Sequence, residues 1–118
     1  MNSNFKLITL VISLSFIFVG CPEKDENNEI PICVEKMIAE KLSIEVSNPP
    51  TQIWKWEVDD NTYYYITSDC CDQFNNLYTS NCEFVCAPDG GFSGNGDGNC
   101  PTFSGEILKT LIWEDKRN

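Results

Sequence analysis

Gln52-Ile53-Trp54-Lys55-Trp56-Glu57-Val58-Asp59-Asp60-Asn61-Thr62-Tyr63-Tyr64-Tyr65-Ile66 decides how this chain folds. Trp54, Trp56 and Val58 alternate with Ile53, Lys55 and Glu57, the period-two pattern of a strand with one buried face. Asp59, Asp60 and Asn61 are turn formers, and residues 62–68, with three consecutive tyrosines and Ile66, supply the return strand. On this pattern Tyr64 faces away from Tyr63 and Tyr65 and lies outside with Ile53 or Lys55.

On the N-terminal side, Pro31 is followed by Val34, Met37, Ile38, Lys41 and Leu42 at spacings of three and four, which predicts an amphipathic helix over about 31–45. Glu35, Lys36, Glu40 and Glu45 form its solvated face, and Asn48-Pro49-Pro50 ends it. On the C-terminal side, 74–79 and 83–87 read as a second hairpin around Ser80-Asn81. Residues 88–101 hold five of the seven glycines and no aliphatic side chain beyond Cβ or proline, so they must be loop. Residues 106–113 place Ile107, Leu108, Leu111 and Ile112 at helical spacing, with a terminal strand as the alternative. The expected class is α+β: one N-terminal amphipathic helix packed on a four-stranded antiparallel meander, stabilised by disulfides.

At the start of the chain, Lys6 precedes a largely apolar run over 7–19, which is too short for the ~20 residues of a membrane span and has the layout of a secretory signal. Phe18-Val19-Gly20-Cys21 closes it and resembles the lipobox of bacterial lipoproteins, with phenylalanine where leucine is usual. That resemblance implies cleavage after residue 20 and a lipid on Cys21. The organisation that follows is a signal peptide over 1–20, a lipidated acidic tether over 21–29, and one small cysteine-rich domain over 30–118. Seven cysteines is an odd number for an exported protein; giving Cys21 to lipid leaves Cys33, Cys70, Cys71, Cys82, Cys86 and Cys100 to pair. Disulfides suit a domain this small, whose hydrophobic core alone is marginal.

Six cysteines allow about 15 connectivities. Cys70 and Cys71 point to opposite faces if they lie on a strand, so separate partners are expected in preference to a bond between them. Cys82 and Cys86 are ~13 Å apart if both are extended, beyond the ~7 Å a disulfide tolerates. Cys86 and Cys100 would hold the glycine-rich loop shut.

Loss of the first 20 residues removes Lys6 and leaves 7 basic against 18 acidic residues, a net charge of −11. Phosphate backbones are bound by basic patches, so no nucleic-acid partner is expected. The chain contains no histidine, which excludes Ser-His and Cys-His pairs and histidine-ligated zinc. Asp59 with Asp60, and Asp69 with Asp72, are acid pairs that could serve catalysis, and turn roles explain them better.

Two binding chemistries remain. Asp89, Asn95, Asp97 and Asn99 lie in a glycine-rich stretch that resembles an oxygen-rich calcium loop, although its spacing is not that of an EF-hand. Trp54, Trp56 and the tyrosine strand offer aromatic faces on which a glycan could stack, competing with their use as core contacts.

Trp54-Lys55-Trp56, Cys70-Cys71-Asp72-Gln73, Leu77-Tyr78, Cys86-Ala87-Pro88-Asp89-Gly90-Gly91 and Gly96-Asp97-Gly98-Asn99-Cys100-Pro101 together resemble a family of small cysteine-rich Bacteroidota lipoproteins known only as a domain of unknown function. The resemblance implies an envelope location and assigns no residue a role. A lysine followed by acids at Lys24-Asp25-Glu26 is similar to the signal that sends such lipoproteins to the outer surface. The expected function is a non-enzymatic binding or structural module, anchored in the outer membrane by lipid and displayed outward, with an unknown protein or glycan partner. The alternatives are an inhibitor that blocks an extracellular or periplasmic hydrolase with a disulfide-fixed loop, and a calcium-stabilised or glycan-binding surface module.

Overall fold

The alternating residues of 52–66 form a tight hairpin in the computed structural model, which describes Gly20 and residues 29–118. The signal-peptide and tether expectations, including lipidation of Cys21, lie outside the described residues apart from Gly20 and Glu29. Strand β1 (Gln52–Val58) pairs with β2 (Asn61–Ile66) from Val58↔Asn61 to Ile53↔Ile66. Asp59 and Asp60 both have positive φ, 50° and 61°, as a two-residue turn matched to strand twist requires. Aspartate tolerates that geometry, and here it has a second use. The Asp59 carboxylate accepts hydrogen bonds from Ser104 N (3.0 Å) and Ser104 Oγ (2.7 Å), which tie a distant segment to the turn and hold its carboxyl below the usual range.

Strands β3 (Phe74–Thr79) and β4 (Phe84–Gly90) continue the meander, and β5 (Leu108–Glu114) returns to the other side of β1. The result is one antiparallel sheet of order β4-β3-β2-β1-β5. The α+β class with disulfides holds, but the sheet has five strands rather than four. The helical reading of 106–113 fails for a local reason. Ile53 pairs with Trp113 while Trp54 pairs with Leu111, so Ile112 is an extra residue in a β-bulge. Ile112 and Trp113 consequently pack against the same core cluster, which breaks the alternation and imitates helical spacing.

Helix α1 (Ile32–Leu42) precedes the sheet and is shorter than the expected 31–45. Val34 is fully buried and packs with Ile53 and Tyr64. Its apolar residues do not make a clean stripe, since Ile32 is 72% exposed and Leu42 47%. The expectation that Tyr64 and Ile53 face outward is also overturned: both are buried beneath α1. The opposite face buries Trp56, Leu77 and Cys86 under residues 91–107, with Phe103 and Ile107 packed against them. A helix therefore covers one face, and an irregular segment covers part of the other. Each large core side chain contributes roughly 1.5–3 kcal/mol when removed from water.

Three disulfides join Cys33 to Cys82, Cys70 to Cys71, and Cys86 to Cys100. The first ties α1 to the tip of the β3–β4 hairpin, where Cys82 occupies a left-handed position (φ 60°). The vicinal bond corrects the expectation of separate partners. Residues 70–73 form a turn, not a strand, with Cys71 at φ 57°, so alternation between faces does not apply.

The chain end fixes the helix end. Arg117 Nη1 donates to the carbonyls of Leu42 (3.2 Å) and Ile44 (3.0 Å), and Nη2 donates to that of Lys41 (3.0 Å). These carbonyls lie at the end of the helix, where intrahelical partners run out. The guanidinium is held in turn by Asp115, only 3% exposed, through Nε (2.9 Å) and Nη2 (2.7 Å). Hydrogen bonding from Arg117 holds the Asp115 carboxyl below the ordinary aspartate value. A carboxyl whose value is lowered on folding stabilises the protein above its unfolded value, and that contribution disappears as pH falls through the folded value. Thermal melts should therefore show Tm falling below about pH 4, with a flatter acid limb in Asp115→Asn; an unchanged limb contradicts the role assigned to this pair.

Candidate functional site

Strand pairing gathers aromatic rings on the face opposite α1. Trp54 pairs with Tyr65 and Trp56 with Tyr63 in β2, while Trp56 pairs with Lys109 in β5. The rings of Trp56 and Tyr65 stack with centroids 5.0 Å apart and planes inclined by 15°. Lys109 Nζ lies 4.4 Å from the Trp56 ring centroid, within cation–π range. Trp54, Trp56, Tyr65, Asp89 and Lys109 line an open pocket of about 220 Å³.

The walls of this pocket are held from behind. Tyr65 Oη donates to Asp89 Oδ1 (2.7 Å), and Asn75 Nδ2 donates to the same oxygen (2.7 Å). Burial, together with the hydrogen bond to Asp89, pushes the Tyr65 phenol well above its usual range, so it stays protonated and keeps donating. On the other side Trp54 Nε1 donates to Gln52 Oε1 (3.1 Å), and Gln52 Nε2 donates to Glu114 Oε1 (3.1 Å). The arrangement presents a part-buried indole, a braced carboxylate and the ammonium of exposed Lys109. Donors and acceptors thus surround an apolar floor.

A slightly larger cavity of about 270 Å³ lies beside the C-terminal half of α1, lined by Met37, Lys41, Asp69, Phe74 and Tyr78 among others. Two of its three charged groups, Lys41 and Asp69, are directed at each other, with Lys41 Nζ 2.6 Å from Asp69 Oδ1, and the third is Glu40. The aromatic pocket leaves more for a ligand.

The proposed calcium set is divided between different tasks. Asp89 serves Tyr65 and Asn75 on the sheet face, whereas Asp97 Oδ1 accepts from Asn99 N (2.9 Å) in a local turn. Asn95 and Asn99 are exposed. Among the described residues, no three acidic, cysteine or histidine side chains form a group suited to a metal ion. The glycine-rich loop packs against the sheet. Gly96 N donates to Gly90 O (3.1 Å) and Asp97 N to Ala87 O (3.0 Å), so the loop lies along the outer edge of β4. Phe92, 94% exposed, projects from it. Among the acids weighed for catalysis, Asp69 is engaged by Lys41 and Asp59 by Ser104, while Asp60 and Asp72 are exposed in turns.

Trp54, Trp56 and Tyr65 share one face in the sequence pattern, whereas the sequence pattern does not reveal Lys109 or the Tyr65–Asp89 bond. Asp89 reaches Tyr65 from two strands away, and Lys109 requires the β5 register, so neither has a local signal. The family described as domain of unknown function DUF6970 matches residues 40–115, a span that includes every residue of the aromatic pocket. No curated protein and no solved structure matches the chain.

Proposed function

This chain belongs to the DUF6970 family, a domain of unknown function, and we propose that it is a non-enzymatic, lipid-anchored binding module of the bacterial outer membrane. The observation that carries the binding role is the pocket of Trp54, Trp56, Tyr65, Asp89 and Lys109, built on paired strands and braced by side-chain hydrogen bonds. The anchor reading rests on Phe18-Val19-Gly20-Cys21 and is supported by the cysteine pairing. Three disulfides occupy all six later cysteines, which leaves Cys21 for acylation. Among the described residues no helix is long and apolar enough to cross a membrane. The acidic segment after Cys21 and the net negative charge suit outward display of a domain held by acyl chains rather than by attraction to anionic lipid.

A second reading has its own observation. Phe92 stands exposed on a loop closed by Cys86–Cys100, as a loop inserted into a hydrolase cleft would require. A loop already ordered loses little entropy on docking.

The anchor is tested on the full chain expressed in a diderm bacterium, by mass spectrometry of its N-terminal peptide and by fractionation. We expect a peptide that begins at acylated Cys21 and a Cys21→Ala chain that leaves the membrane fraction. An unmodified Cys21 on a chain recovered outside the membrane defeats the reading.

A further inference from the structure

We propose that the pocket of Trp54, Trp56, Tyr65, Asp89 and Lys109 binds one neutral sugar ring of an uncharged glycan, stacked on Trp54 with its hydroxyls shared between Asp89 and Lys109. The proposal rests on the binding-module reading above and assigns that site its ligand class. Charge decides between candidate ligands. Lys109 Nζ already holds the position over Trp56 that a ligand cation would take, 4.4 Å from the ring centroid, so a quaternary ammonium meets a like charge there. Asp89 opposes an anion in the same way, and the chain's net charge of −10 adds to that repulsion at longer range.

A ligand that satisfies both groups is neutral, donates to a carboxylate, accepts from an ammonium, and offers an apolar face to an indole. A pyranose ring has all of these, because its hydroxyls donate and accept while its C–H face meets the negative face of an aromatic ring. Size agrees with this choice. The pocket, at about 220 Å³, is smaller than the ~300–1,000 Å³ of sites for drug-sized molecules. One ring fits, with the rest of the glycan outside. The site is also prepared in advance: both hydrogen bonds mapped to Asp89 fall on Oδ1, so Oδ2 remains as an acceptor among the described residues, and Trp54 is held by Gln52. Little ordering remains to oppose binding.

The test uses the full chain in a detergent that contains no sugar, titrated with neutral gluco-, manno- and galacto-oligosaccharides, with choline and with galacturonate. Tryptophan fluorescence and saturation-transfer NMR provide the readouts. We expect at least one neutral series to bind with a Kd on the order of 1 mM. Trp54→Ala should weaken it at least about tenfold, with partial recovery in Trp54→Phe. Lys109→Met, a change at an exposed position, should weaken the sugar and admit choline. Absence of any neutral-sugar response up to ~10 mM, or Trp54-dependent binding of choline or galacturonate by the native chain, overturns the proposal. Neither result touches Cys21 acylation, whereas an unmodified Cys21 defeats the envelope anchor whatever the pocket binds.

Discussion

Replacing Cys33 and Cys82 together by serine should lower the unfolding free energy by about 4 kcal/mol, the loop-closure contribution expected for a bridge across 49 residues. The loss should exceed that from removing Cys86–Cys100, which spans 14 residues and contributes about 3 kcal/mol on the same account. Removing Cys70–Cys71 should cost least of the three, because adjacent residues enclose no length of chain. Location reinforces the ranking. Helix α1 has 11 residues, too few to persist alone in water, and Cys33 is its covalent tie to the sheet. Without that bond, α1 keeps the packing of Val34 and the Arg117 contacts to its last turn, and Ile53 and Tyr64 depend on it for cover. Chemical denaturation of the three double-serine variants measures the order directly. Equal losses for the two long-range bridges would show that chain entropy does not set their contribution.

How much of this was legible in the sequence depends on how local the cause was. The β1–β2 hairpin was readable because period-two alternation and two turn aspartates are properties of consecutive residues. Strand β5 was readable only as the alternative to a helix, because the bulge at Ile112 interrupts the alternation, and the bulge exists only in register with Ile53 and Trp54. Tyr64 was misplaced because alternation reveals two faces without revealing that α1 covers the one Tyr64 occupies. The candidate site divides in the same way. Trp54 and Trp56 were visible as a pair, whereas Lys109 enters only after β5 crosses to β1, and Asp89 only after Tyr65 reaches across β3. The glycines of 90–98 read both as an ion-binding loop and as a plain closed loop, because a glycine-rich, oxygen-rich composition serves equally for an ion cradle and for chain laid against a strand edge.

That last distinction gives the second large effect, since it rests on Gly96 in particular. Gly96 has φ of 73°, and a Cβ there would run into the Ala87 carbonyl oxygen and come within 2.7 Å of Pro88 C. Gly98 has nearly the same φ, 74°, but a Cβ on it meets nothing within 4 Å. The two positions therefore separate backbone conformation from steric contact. Gly98→Ala should cost about 1–2 kcal/mol, the left-handed penalty alone. Gly96→Ala carries the same penalty and must also lift the loop from β4, losing the Gly96 N to Gly90 O and Asp97 N to Ala87 O bonds at about 0.5–1.5 kcal/mol each. Its total loss should reach about 2–5 kcal/mol. Lifting the loop also bares the outer edge of β4, and an uncovered edge strand pairs readily with another chain. Gly96→Ala should therefore self-associate in light scattering at concentrations where Gly98→Ala stays monodisperse. If the two variants match in both stability and association, the loop is not what covers that edge.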